Sequence, residues 1–213
     1  MSNKIFVVII MIFYVQLVQA KNETIDIYTS VGYKSLTSDN KDPNLTGGSL
    51  GLNFLYSIPK YKKIIPMIGA SLERTTVKGV QSYTLANKQL SCSVNSTTQT
   101  VYHSFDYMTI SINGGIKIRP TENWNFMGIG NMGYSFYNNY NEEIYGGQNN
   151  YINISDHFLF GTTLLATYRL GNVFSLGSNV IFNLHHLNKK SLQYSENVNY
   201  TEKSVNIVLM WSL

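Results

Sequence analysis

The sequence has a single cysteine, Cys92, in 213 residues. One thiol excludes an intrachain disulfide framework and a cysteine-rich zinc site. Charge is scarce as well. Asp, Glu, Lys and Arg make up 13% of the chain, about half the usual share for a soluble domain. The low charge argues against disorder, because the 44% of apolar residues suffices to build buried surface. It equally argues against a coiled coil, which needs abundant Ala, Glu, Lys and Leu. The 16 Lys and Arg residues are scattered and the formal net charge is +4, so no dense basic patch points to nucleic acid. No Walker loop, dinucleotide fingerprint or metalloprotease helix occurs. Beyond residue 20, no stretch approaches the roughly 18 continuous apolar residues of a membrane helix. Strands that cross a membrane hide their hydrophobicity by alternation, and these remain open.

What is present begins with an address. Lys4 supplies a positive start, residues 5–15 an apolar core, and Val18-Gln19-Ala20 the small residues that a signal peptidase reads. Residues 1–20 are expected to be a signal peptide cleaved near Ala20. The mature chain, residues 21–213, then carries 15 basic and 12 acidic residues and forms one domain.

Read in steps of two, the mature chain separates into two chemical sets. Ile25, Ile27, Val31 and Tyr33 share a face opposite Asp26, Tyr28, Ser30 and Gly32. Ile110, Ile112, Ile116 and Ile118 oppose Thr109, Ser111, Asn113 and Lys117. The same period recurs in the stretches containing Leu50 and Phe54, Ile64 and Ile68, Trp124 and Tyr134, Phe158 and Tyr168, Phe174 and Phe182, and Val205 and Leu213. Period two means strands, and there are eight. Leu55, Met67, Ile129, Leu165 and Val208 break the rule, as expected of a partly packed interior. The connections alternate too. Residues 35–47, 75–104, 138–155 and 186–200 are expected as long polar loops, and 58–63, 119–123 and 171–173 as short turns. The polar face is Ser, Thr, Asn and Gly with few charges, which suits a crowded lumen better than a solvated sheet. Aromatics gather at both strand ends: Tyr56, Trp124, Tyr168, Phe174 and Trp211 near the turns, and Tyr33, Phe136, Phe158 and Phe182 near the loops. Two such belts fit two membrane interfaces.

This pattern resembles the eight-stranded outer-membrane barrels of the OmpA, OmpX and opacity-protein type, over residues 24–213. The final strand, residues 205–213, is similar to the insertion signal of that class, although the usual terminal aromatic is here Leu213, with Trp211 two positions before it. The resemblance implies an all-β fold: a closed eight-stranded antiparallel transmembrane barrel with long outer loops and short periplasmic turns. It implies residence in the outer membrane of a Gram-negative bacterium, contact with membrane lipid and lipopolysaccharide, and a monomer without cofactor or nucleic-acid partner.

Two groups of residues are candidates for function. Asp26, Lys117, Arg119 and Arg169 fall on the lumen face near the short turns, either as a selectivity ring or as paired filling of a lumen too narrow for solute. Lys78, Tyr83, Lys88, Tyr102, Tyr140, Tyr145 and Tyr151 lie in the long loops, where Tyr among Ser, Thr, Gly and Asn suits adaptable recognition of a host or surface ligand. Glu73, His103, His157 and His185 share the inward face. A zinc site is conceivable there, but separate loop-proximal histidines are the plainer reading. Gly114, Gly128 and Gly130 face lipid, as bends or as a close-approach surface. His185-His186, followed by Ser191, Glu196 and Glu202, invites comparison with the lipid A deacylase PagL, an outer-membrane barrel with a His-x-Ser motif and a downstream Glu. Here Leu187 and Asn188 stand where the serine would be. The expectation is therefore a non-enzymatic surface protein acting structurally or through loop-mediated adhesion and recognition. The alternatives are a small-solute channel of the OmpW kind and a PagL-like deacylase.

Overall fold

The protein is described here from a computed structural model, which covers residues 24–38, 42–58, 64–86, 96–144, 148–171, 173–190 and 195–213. The signal segment 1–20 and its cleavage site lie outside the described residues, as do Lys88, Cys92 and Tyr145. Eight strands follow one another: β1 Thr24–Ser38, β2 Leu45–Ser57, β3 Ile64–Ala86, β4 Ser96–Ile118, β5 Trp124–Ile144, β6 Gln148–Arg169, β7 Phe174–Lys190 and β8 Ser195–Ser212. Each pairs antiparallel with the next, and β1 pairs with β8, Ile27 opposite Trp211 and Tyr33 opposite Val205. The ring is closed, as lipid requires; between β5 and β6 the pairing stops at Tyr134 opposite Phe158 and resumes at Tyr140 opposite Ile152. No helix of the described residues is long and apolar enough to cross a membrane.

One zone of the outer wall is apolar. Its outward residues include Val31, Leu50, Ile68, Ile112, Met132, Phe160, Leu164, Ile207 and Leu209, all solvent-exposed in the isolated chain; Ile112 is 69% exposed. On β3, β4, β7 and β8 the apolar outward series occupies residues 64–72, 110–118, 176–184 and 205–213. Each is about nine residues, the length a tilted strand needs to cross a hydrocarbon core. Exposed Arg74, His186 and Lys203 end the apolar series on three of these strands. Aromatic side chains mark both rims. Near the turns Trp124 stacks on Phe126 at 5.8 Å, meets Tyr168 edge-on at 5.2 Å, and Phe174 packs against Trp211 at 5.8 Å. Tyr33, Phe136, Phe158 and Phe182 are exposed at the other rim.

The outer connections differ from expectation. Most of residues 35–47, 75–104, 138–155 and 186–200 is strand rather than loop, so the barrel continues well beyond the apolar zone. Two physical reasons hide this in the sequence. First, the alternation changes phase. On β4 the apolar residues are even-numbered in 110–118, but Val101, Phe105 and Tyr107 above them are odd and buried. The strand has not slipped; its surroundings have changed, from lipid outside to water outside. Second, bulges break the period. Met108 pairs with Tyr137 and Thr109 with Ser135, leaving Phe136 as an extra residue. Beside it, Ile154 pairs with Lys189 and Asp156 with Asn188, leaving Ser155 extra. An inserted residue turns every later side chain to the other face.

The lumen is packed in layers. Tyr28, Leu55, Met67, Met127, Ile129, Leu165, Val208 and Met210 form an apolar layer in the turn-side half, which accounts for the residues that broke the alternation. A second apolar cluster, including Leu36, Leu45, Val77, Phe105, Leu187, Val198 and Tyr200, fills the outer extension. Between them lie amides and hydroxyls: Asn206 Nδ2 donates to Asn179 Oδ1 at 2.6 Å and Asn131 Nδ2 to Thr163 Oγ1 at 2.8 Å. The space left in this middle layer is about 30 Å³, on the scale of a single water molecule.

Candidate functional site

Three chemically distinct sites follow one another along the axis. At the turn end, Asp26 of β1 and Lys117 of β4 are both wholly buried and their Oδ2 and Nζ atoms lie 2.6 Å apart. Asp26 also accepts from Ser212 Oγ at 2.5 Å and Ser57 Oγ at 3.5 Å. A buried ion pair is tolerable only when its remaining lone pairs are satisfied, and these are. Arg119 and Arg169 do not join the pair directly. They line a separate cavity on its turn side, where Arg119 Nε donates to Asn125 Oδ1 at 3.1 Å. The four sequence candidates thus share one end of the lumen, Asp26 and Lys117 as a buried pair and Arg119 and Arg169 in the wall of the cavity.

Near the outer rim of the apolar zone lies a second charged layer. Lys34 of β1 is buried between Glu73 of β3 and Glu202 of β8, bonded to the first and 3.0 Å from Oε1 of the second. The other Glu202 oxygen lies 2.5 Å from His185 Nε2, whose Nδ1 is 2.8 Å from His157 Nε2; His157 Nδ1 in turn is 2.8 Å from Asn138 Oδ1. One ammonium faces two carboxylates, and the second of these also meets the His185 ring. Three of the four residues weighed as a zinc set, Glu73, His157 and His185, meet here. His103 does not: it lies with Tyr140 OH at 3.1 Å and Glu142 Oε1 at 3.5 Å. Among the described residues, no group of three or more His, Cys, Asp or Glu side chains is placed to hold a metal ion. Lys34 was not among the sequence candidates, and Glu202 had been named beside His185 only for the deacylase comparison. The signal was available, because Lys34 has the inward parity of Asp26, Tyr28 and Ser30.

The third site is the outer extension. Its axis is capped by Lys189, whose Nζ is 2.7 Å from Asp42 Oδ2, 3.2 Å from Tyr200 OH and 4.1 Å from the Tyr140 ring centroid. Tyr140 was expected on the surface, and the structure places it inside. The Phe136 bulge reverses parity beyond it, so Tyr140 points into the lumen and packs on Phe105 with ring centroids 5.4 Å apart. Tyr151, Tyr102 and Lys78 stay outside. They line an open cleft of about 700 Å³ on the wall of β2–β6, together with Asn44, Asn141 and Glu143. Tyr151 is 74% exposed. The register sets the spacing: Tyr102 opposes Glu143 on β5, and Asn141 opposes Tyr151. Two aromatic platforms therefore flank an amide and a carboxylate. Tyr83 belongs to β3, opposite Gln99, but its side chain lies outside the described residues.

Neither histidine of the His185-His186 pair has a nucleophile beside it among the described residues. His185 is buried in the ionic layer, and His186 points outward to Asn199 Oδ1 at 2.8 Å. Gly114 and Gly130 pair across β4 and β5 on the lipid face, with Gly128 one step toward the turns; a Cβ at Gly114 or Gly128 would meet nothing within 4 Å.

No protein-family model and no curated protein matches the sequence. Solved structures do match the fold. Neisserial surface protein A superposes with a TM-score of 0.50 at 11% identity, over 86% of this chain and 95% of that one. Ail, the attachment invasion locus protein of Yersinia pestis, in complex with the heparin analogue sucrose octasulfate, gives a TM-score of 0.40 at 10% identity, over 89% and 99%. The outer membrane protease OmpT of Escherichia coli gives 0.41 at 10% identity, over 92% and 98%. At this identity the likeness is one of fold. The protein has the fold of the eight-stranded outer-membrane barrels, and with its lipid-facing band it is an outer-membrane β-barrel.

Proposed function

We propose that the protein is a non-enzymatic surface protein that recognises a partner outside the cell through the cleft on its outer extension. The observation that carries this reading is the convergence of Lys78, Tyr102, Glu143 and Tyr151, from four different strands, on one open wall above the membrane zone. Rigid strands hold these side chains in place, so little ordering entropy opposes binding. The proposed orientation puts this end outside and the short turns, with both chain ends, in the periplasm, after export through a signal peptide cleaved near Ala20. Exposed Arg74, bonded to Asp106 at 2.9 Å, sits with Lys203 at the rim, where lipopolysaccharide phosphates would meet them in a monomer. The packed middle of the lumen argues against a channel of the OmpW kind, and the burial of His185 between Glu202 and His157, with His186 turned outward to Asn199, argues against a deacylase.

The test compares cells carrying the wild type with cells carrying Tyr102→Ala/Tyr151→Ala, with folding checked by heat-modifiable gel migration. Adherence to immobilised matrix proteins and glycans, and survival in serum, are measured. A drop of about tenfold in at least one readout is expected if two aromatic anchors are lost. Unchanged values in all of them reject the cleft. Lipid A that loses acyl chains only when the wild-type protein is present overturns the non-enzymatic reading.

A further inference from the structure

The lining of the outer cleft is chemically selective. Lys78, Tyr102, Glu143 and Tyr151 form no hydrogen bond or ion pair with another described residue, so their polar ends are uncommitted. The half-buried Asn141 amide between them has an Oδ1 without a partner among the described residues. Its charges cancel: among Asp, Glu, Lys and Arg, the lining holds Lys78 and Glu143. A polyanion therefore meets no net positive field to draw it in. Apolar anchoring is thin as well. Val80 is the one aliphatic side chain among the described lining residues, whereas hot spots for a protein partner sit in well-packed, desolvated pockets. An extended peptide finds no free strand edge here, because Lys78 pairs with Ser104, Ser104 with Asn141, and Asn141 with Tyr151. What remains is two exposed aromatic rings with amide, hydroxyl, ammonium and carboxylate groups between them, a set that both donates and accepts.

We propose that the cleft binds a neutral oligosaccharide, an inference that rests on the cleft being the recognition surface. A pyranose ring has an apolar C–H face that packs on an aromatic plane, and a fringe of hydroxyls that each donate and accept. Tyr102 and Tyr151 supply the planes; Asn141, Glu143, Ser104 and Lys78 supply partners for the hydroxyls. By register Tyr102 and Tyr151 lie two strands and two residues apart, roughly 12 Å at ordinary strand spacing. That span takes more than one sugar ring. The cancelling charges select an uncharged chain over a sulfated or sialylated one.

The experiment applies the full barrel, refolded in phosphocholine micelles that carry no sugar headgroup, to an array of neutral, sialylated and sulfated oligosaccharides, and titrates the bound ones by NMR. Saturable binding of at least one neutral oligosaccharide is expected, with an affinity little changed between about 50 and about 200 mM salt. Tyr151→Ala should weaken it at least about tenfold, and Tyr151→Phe, which keeps the ring, should retain it. Tyr151 is 74% exposed, so the fold does not depend on it, and heat-modifiable migration checks this. Binding of no neutral oligosaccharide overturns the proposal, as do binding confined to charged ones and unchanged affinity in Tyr151→Ala. Adherence that falls in Tyr102→Ala/Tyr151→Ala cells while no neutral oligosaccharide binds overturns the saccharide alone and leaves the cleft a protein-binding surface. Unchanged adherence and serum survival reject the cleft and the saccharide with it.

Discussion

The membrane zone and the outer extension are two lengths of the same eight strands, built on opposite rules. In the first, Ile112, Leu164 and Ile207 face outward while Ser111, Asn179 and Asn206 are buried. In the second, Leu36, Val77, Leu187 and Val198 are buried while Thr76, Lys78, Lys190 and Asn199 are outside. The backbone ladder continues through the change on β3 and β4 without interruption, from Ile64 opposite Ile118 to Ala86 opposite Ser96. The solvent therefore decides which face of a strand is apolar, and the hydrogen-bonded wall is indifferent to it. At the boundary sits the Lys34–Glu73–Glu202–His185 layer, the level at which neither rule holds.

The largest test of this comparison is at the boundary itself. Lys34→Met leaves two carboxylates facing each other without their cation, and the loss of stability is expected to be about 3–5 kcal/mol. Urea unfolding of the barrel in lipid vesicles measures it; a loss below 1 kcal/mol would mean the two zones meet without an ionic joint. A smaller effect is expected on the lipid face. Ile112→Arg places a charge near the middle of the apolar band and should cost about 2–4 kcal/mol. In the interior of the extension, Leu187→Ala removes a fully buried side chain from a water-surrounded core, at about 2–3 kcal/mol. That variant should also open residues 75–86 and 96–104 to protease while leaving the membrane zone protected. Val80→Arg is expected to have the smallest effect. Val80 is outward like Ile112 and similarly exposed, yet it stands above the rim, and the change should stay within about 0.5 kcal/mol. Equal costs for Ile112→Arg and Val80→Arg would erase the distinction between the zones.

The contrast also accounts for which sites were readable. The outward series of the membrane zone is a rule that each strand obeys alone, so Ile110 to Ile118 or Val205 to Leu213 can be recognised without knowing their neighbours. The Asp26–Lys117 pair was legible for the same reason, since both carry lumen parity at the turn end. Tyr140 was misplaced because one extra residue at Phe136 reverses its face. A bulge is a feature of pairing between two strands, and nothing in the Tyr134–Tyr140 stretch alone marks it. Tyr102, Lys78 and Tyr151 were named as separate loop residues; their common cleft follows from strands that the phase change had concealed.

The sequence by itself determined the strand count, the turn positions, the apolar band and its aromatic rims, because lipid acts on each residue locally and leaves a period of two. Only the tertiary structure decided that the outer loops are zipped into the barrel, that Lys34 of the first strand is caught between Glu73 of the third and Glu202 of the eighth, and that Arg119 and Arg169 open onto one vestibule. Those outcomes depend on register and closure. A ring brings the first and last strands side by side, so residues 168 positions apart in the chain become an ion pair, and no local pattern carries that distance.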